Sequence, residues 1–403
     1  MVERNRRRDG RLTAMVDTCP VCGSPRSREI YRSPRVPVLL NRLYPTEASA
    51  RAAASGTLDM RGCAACGFAW NVAFDPRIIV YDGDYENDQT HSPAFLAHLR
   101  DRARAVVSAV APGEPVDYLE IGCGQGIFIG AVADAAGEKL RSATGFDPAW
   151  RGLGSRGPGD SCIHAMYFDQ ASANRLDRRP NVVACRHTIE HVPDPLGFLR
   201  SVRAALGPES RARVFIETPC LEWIVRHEAM QDFFYEHCSI FTASSLRYAL
   251  EASGFGVRQV AHVFGGQYLW AEAEAVEHGT PARLTPLASG DFAGAQRRFT
   301  ARWRLAAQRA RREGPVAIWG AGAKGVTFAL LVDADGALFD HAIDINPHKQ
   351  GLHMPTSGLL VLSPGQSAIR QPRTIFVMNP NYLAEIRDIA VASGGDAKLI
   401  PVN

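Results

Sequence analysis

Two doubly wound α/β units, one large and one small, behind a cysteine-bearing module are what this 403-residue sequence predicts. Three observations carry that reading. The length exceeds what one hydrophobic core supports. From about residue 95 to 275, short apolar runs alternate with helical periodicity, the mark of parallel strands covered by helices on both faces. A glycine-rich loop follows an apolar strand twice, at Gly122–Gly126 and at Gly320–Gly325.

The texture of the chain divides it into an N-terminal module (1–75), a core (76–281), a linking helix (282–314) and a C-terminal lobe (315–403). The module is loop-rich, with five prolines between Pro20 and Pro45. In the core, helical spacing over 95–110 precedes a strand at 116–121, a helix at 128–136 and a strand at 142–147. Later strands are predicted at 182–185 and 212–217. The polar, Arg- and Ala-rich stretch around 295–304 reads as one long exposed helix leading into a strand at 315–319.

Composition removes several function classes. With 45 basic against 42 acidic residues the net charge is +3, which makes no electrostatic case for a nucleic-acid partner. The local exception, Arg4, Arg6, Arg7, Arg8 and Arg11, reads as a solvated tail. No run of 18 apolar residues suggests a membrane span, and the Arg-rich start lacks the apolar stretch of a secretory signal. Nine cysteines, four of them in two Cys-x-x-Cys pairs, suit a reducing cytoplasm with one metal site.

Cys19, Cys22, Cys63 and Cys66 are that site. Each pair is followed by a glycine, Gly23 or Gly67, which permits the positive φ that turns both thiolates toward one ion. Four sulfurs close a tetrahedral zinc site and leave no open position, so the ion is expected to be structural. A redox Cys-x-x-Cys is the rival, but it needs only one pair.

Glu120-Ile121-Gly122-Cys123-Gly124-Gln125-Gly126 follows a buried strand and opens a helix, where glycine lets backbone approach a ligand and free N–H groups await it. Asp147 ends the next strand, placed to accept ribose hydroxyls. The glycines fall at alternate positions, whereas dinucleotide loops want Gly-x-Gly-x-x-Gly. This loop resembles the first motif of class I methyltransferases, which bind S-adenosylmethionine. The expected donor set is Glu120, Gly122, Gly124, Gly126, Asp147, Asp169 and His187.

Arg186-His187-Thr188-Ile189-Glu190-His191 follows a further strand, similar to the stretch that faces the donor sulfur in those enzymes. Two histidines with Glu190 invite a metal reading, but no third ligand stands at useful spacing. His187 is expected near the reacting methyl and His191 as a structural hydrogen-bonder. Tyr235-Glu236-His237, inside an aromatic run, offers a base with a tuned pKa. A packed loop that satisfies buried backbone groups is the alternative. Gly320 to Gly325 with Asp344 after the next strand looks, on local grounds, like a dinucleotide fingerprint in a half-sized domain.

Taken together, these motifs, with Gly265-Gly266-Gln267-Tyr268 and Met378-Asn379-Pro380-Asn381-Tyr382, resemble the sugar C-methyltransferases of antibiotic biosynthesis along nearly the whole chain. The resemblance implies a Rossmann-like class I methyltransferase core, a zinc-binding N-terminal module and a smaller Rossmann-like C-terminal lobe that closes over the acceptor. It implies that Glu236 and His237 sit at the reacting carbon and that Tyr85 to Ser92, with Tyr85 and His91, approaches the acceptor. The acceptor carbon must be acidic and therefore beside a ketone. His237, or His91, would remove its proton while Tyr85 or Tyr235 stabilises the enolate. The expected partner is a nucleotide-linked keto-sugar, for a cytoplasmic monomer with no nucleic acid or membrane attached. A methyltransferase of a non-sugar natural product, at carbon, oxygen or nitrogen, is the alternative. An NAD-dependent oxidoreductase using Gly320 to Gly325 and a nucleic-acid-binding zinc module stand behind it.

Overall fold

The structure, a computed structural model, describes residues 18–402 except 82–83, 153–154, 278–280, 282 and 288–289. The Arg-rich tail, Arg4 to Arg11, lies outside the described residues. Strands β1 (Ser27–Pro37), β2 (Ser55–Cys63) and β3 (Ala69–Asn71) form an antiparallel meander. One cysteine pair precedes β1 and the other lies at the turn between β2 and β3, the turns closed by Gly23 N–H to Cys19 O and Gly67 N–H to Cys63 O. Both glycines have φ above +70°.

The core sheet comprises β4 (Val116–Ile121), β5 (Leu140–Phe146), β6 (Cys162–His164), β7 (Val182–Arg186) and β8 (Arg213–Pro219), joined in parallel. A short β9 (Ser239–Ile240) leaves this sheet and pairs with β3, tying module to core. β10 (Phe255–Val263) and β11 (Tyr268–Ala275) complete the order β10-β11-β8-β7-β4-β5-β6. Every residue of β4 and β7 is buried, as central parallel strands require. The order reverses between β4 and β7, the switch point where α/β sheets bind ligands.

Two expectations need correction. The core sheet is not wholly parallel: β11 runs antiparallel to β8, and β10 to β11. Phe264, Gly265 and Gly266 all have positive φ, so the chain reverses in a tight hairpin with no crossover helix. The linking helix, Phe292–Glu313, is not exposed all round. Phe292, Ala295, Phe299, Trp303, Ala307 and Ala310 recur at helical spacing and are buried, while the arginines face outward. Trp303 meets Phe328 and Phe376 edge-on; burying such a ring contributes about 1.5–3 kcal/mol.

The C-terminal lobe is a five-stranded parallel sheet: β12 (Val316–Trp319), β13 (His341–Ile343), β14 (Val361–Leu362), β15 (Thr374–Val377) and β16 (Lys398–Pro401), in the order β14-β13-β12-β15-β16. Gly325 is required where the loop after β12 enters the helix Ala323–Val332, because a Cβ there would lie 1.9 Å from the Gly320 carbonyl oxygen.

Candidate active site

The donor loop sits at the carboxyl end of β4. Gly122, Gly124 and Gly126 all have positive φ, and the helix Ile127–Ala136 starts directly behind them. A Cβ on Gly122 would strike Thr188, and one on Gly126 would strike Pro158 and Ile163. Around Gly124 no atom lies within 4 Å of such a Cβ, so the loop keeps an open cradle at its middle glycine. S-adenosylmethionine fits this feature, since its close approach to backbone needs that space. Asp147 joins the loop: Oδ2 accepts from Gly124 N at 2.7 Å and Oδ1 from Ala149 N at 2.8 Å. Burial pushes the buried Glu120 carboxyl up to about 8, against the pull of Arg186. Asp169 caps the turn Ala171–Arg175 through Ser172.

Between core and lobe lies a cavity of about 280 Å³. Tyr85, His91, His187 and His237 all line it, and Lys324, Asp344 and Asn346 line its lobe side. Ser92 positions this wall twice. Its hydroxyl caps the helix Pro93–Ser108 by accepting from Phe95 N and donates to Glu385 of the lobe at 2.8 Å. The first of these bonds is worth about 1 kcal/mol.

His237 sits deep in the cavity wall, edge-on to Phe234 and His191 with ring centroids 4.7 and 4.9 Å away. Its Nδ1 is buried with no hydrogen-bond partner. Burial, with the histidines nearby, lowers its pKa to about 3, so the ring is neutral at physiological pH. His187 is the opposite case. Burial disfavours its charge, but Glu190 at 3.4 Å and Glu217 at 3.7 Å outweigh that and raise it to about 9. His187 also holds a positive φ of 50°, a strained backbone for a non-glycine residue.

Glu236 and Tyr235 do not line the cavity. The Glu236 carboxylate accepts from Leu40 N at 2.8 Å, and burial pushes its pKa up to about 7 against that bond and the Tyr85 and Tyr81 hydroxyls. Tyr235 turns toward the N-terminal module, where its hydroxyl accepts from Asp75 N and its ring fills the space over Gly56. Glu236, bonded to the buried Leu40 backbone, does what the packed-loop alternative asks of it. Asp344, too, serves its own lobe, accepting from Ala321 N and facing Lys349.

Several residues escaped sequence reasoning. Glu217, fully buried in β8, binds Arg186 Nε at 2.7 Å and His98 Nε2 at 2.6 Å. Burial opposes its charge, yet Arg186, His187 and His98 hold it well below the usual carboxylate range. A lone glutamate directly after the apolar run Val214–Ile216 is the available signal. Lys324 reaches from the lobe to Asp232 at 2.9 Å and lies over the Trp223 ring. Gln267 and Asn379 pair through both amides across the same boundary. Of the His187, Glu190 and His191 group, Glu190 and His191 come together with His237, the three offering atoms within 4.8 Å of one another.

The four paired cysteines converge. Cys19 Sγ lies 3.6 Å from Cys66 Sγ and Cys22 Sγ 3.5 Å from Cys63 Sγ, with all four within 4.8 Å of one another. Sulfurs about 2.3 Å from a tetrahedral zinc lie roughly 3.8 Å apart, so the arrangement fits that ion.

Comparison with known proteins agrees with this layout. Residues 90–260 match the model of a methyltransferase domain, and residues 289–400 that of a C-methyltransferase C-terminal domain. The chain is similar to C-methyltransferase NovU of Streptomyces niveus, 25% identical over 397 residues, covering 93% of this chain and 92% of that one. It is also similar to a ubiquinone biosynthesis O-methyltransferase of Aeromonas salmonicida (strain A449), 27% identical over 165 residues, 36% of this chain and 65% of that one. Among solved structures, a SAM-dependent methyltransferase from Aquifex aeolicus covers 47% of this chain and 100% of its own, at 17% identity and a TM-score of 0.34. Among the described residues no helix is long and apolar enough to cross a membrane.

Proposed function

We propose that this chain, which belongs to the S-adenosylmethionine-dependent methyltransferases, methylates a carbon beside a ketone on a nucleotide-linked keto-sugar in natural-product biosynthesis. The observation that carries the reading is His237: a half-buried, neutral imidazole, its Nδ1 buried without a partner, in the wall of a cavity between core and C-terminal lobe. A hydroxyl acceptor does not need so secluded a base, whereas a carbon acid does, because water would compete for the carbanion.

Glu120, Gly122, Gly124, Gly126 and Asp147 hold S-adenosylmethionine, which supplies an electrophilic methyl group when bound. His237 takes the proton from the acceptor carbon. Tyr85, its hydroxyl bonded to Asn41 Nδ2 at 3.3 Å and supported by Glu236, steadies the enolate oxygen, and the charged His187 adds to that field. His91, held loosely by Asp88 at 3.9 Å, contacts the acceptor from the opposite wall. Lobe residues 315–403 close the cavity and receive the nucleotide. The test is product analysis: with isotopically labelled donor and nucleotide-linked keto-sugars, the label is expected on carbon. Label found only as a methyl ether would overturn the reading.

Residues 1–75 form a structural zinc module on Cys19, Cys22, Cys63 and Cys66. Elemental analysis of gently purified protein is expected to give one zinc per chain. Cys63→Ser should lose it, with destabilisation on the order of the 4 kcal/mol or more typical of metal loss. Donor affinity, read by calorimetry, should survive because the glycine loop lies elsewhere. Protein free of zinc but stably folded would sink the assignment.

A further inference from the structure

We infer that Glu190, His191 and His237 form a second metal site, for a zinc-like divalent cation, whose occupation blocks the acceptor chemistry. Their ligand atoms lie within 4.8 Å of one another. Two imidazoles and one carboxylate, with a position left open, are the ligand set of zinc sites that exchange their fourth ligand. Donors about 2.0–2.2 Å from a tetrahedral ion lie roughly 3.4 Å apart, so closing the set takes about an ångström of side-chain rotation.

Two features show a prepared site and not a chance cluster. Glu190 is fully buried with its Oε1 faced by the His187 imidazole at 3.4 Å, while His237 Nδ1 is buried with no hydrogen-bond partner. Unsatisfied buried polar atoms are costly and call for a missing partner. The surrounding groups also orient the ligands as outer-shell partners of metals do. Thr218 Oγ1 donates to Glu190 Oε2 at 3.0 Å and leaves Oε1 on the side of the imidazoles. Tyr81 Oη lies 2.9 Å from His191 Nδ1, and Phe234 packs edge-on against His237. His187, 3.4 Å from Glu190 Oε1, is the cation that the ion would displace from that oxygen.

The consequence rests on the reading of His237 as the base. A coordinated imidazole has no lone pair for a proton, so the filled site and proton removal exclude each other. Excess zinc should therefore inhibit by capturing the base, in competition with the acceptor and not with the donor.

The test uses the full chain with its cysteine site filled. Titration with Zn²⁺ by calorimetry is expected to show one further ion per chain, and Glu190→Gln and His191→Ala should each abolish it. Titration of the parent with Co²⁺ needs no variant: the added ion should show ligand-field bands without thiolate charge transfer. Turnover should fall with occupancy by roughly two to four orders of magnitude, as when a general base is lost, and high acceptor should relieve it. No further ion in the parent, thiolate charge transfer from the added ion, or full binding in both variants would overturn the site. An ion that binds, is lost in the variants and leaves turnover intact would instead overturn the assignment of His237 as base and the inhibition drawn from it.

Discussion

His237→Asn should lower turnover by roughly two to four orders of magnitude, the usual contribution of a general base. Asparagine keeps the approximate volume and some hydrogen-bonding capacity but cannot accept a proton at neutral pH. The parent ring is already neutral, because burial and neighbouring histidines hold its pKa near 3. A base of so low a pKa is weak in water, and its strength must come from the dry cavity and the charged His187 beside the developing enolate. Donor affinity should be unchanged, since the substitution leaves the glycine loop as it is. Solvent deuterium exchange at the acceptor carbon, with S-adenosylhomocysteine present, reads proton removal apart from methyl transfer. If the variant exchanges as fast as the parent, the base lies elsewhere, with His91 and His187 next in line.

Gly124→Val attacks the other half of the reaction. Gly124 has φ of 54° and an open space where a Cβ would go, whereas Gly122 and Gly126 already press on protein atoms. A valine here is not excluded by its neighbours; it fills the cradle reserved for the ligand. Crowding a packed contact costs about 1–3 kcal/mol, or roughly a ten- to hundredfold loss of donor affinity. Gly124→Ala separates causes, since it carries the backbone strain with less bulk and should fall between parent and valine. Calorimetry showing parent-like donor affinity for Gly124→Val would remove the loop from the donor site. Zinc content should stay at the parental level in both variants.

The donor loop was legible because its determinants are contiguous. An apolar run, three glycines that must take positive φ and a helix start lie within about a dozen residues, and no distant contact is needed to specify them. The cysteine knuckles were legible for the same reason: each is a tight turn with a glycine behind it, and only their meeting required the fold. The hairpin at Phe264 to Gly266 was missed although its glycines were visible, because alternation of strands and helices favours a crossover until the turn geometry is known. The linking helix reads as exposed because seven arginines stand among its 22 residues, yet its three aromatic rings and Ala295, Ala307 and Ala310 fall on one buried face.

By itself, then, the sequence determined what depends on neighbours along the chain: the parallel strands of the core, the glycine loop after β4 and the two cysteine knuckles. Tertiary structure decided which side chains of those segments face the cavity. Tyr235 and His237 are two residues apart, yet one packs on the N-terminal module and the other lines the cavity. Glu190 gains His237, and Glu217 gains His98 and Arg186, from segments far apart in sequence. The physical reason is that burial and charge pairing set these roles, and both are fixed by sheet order and by the docking of the C-terminal lobe, which no local pattern encodes.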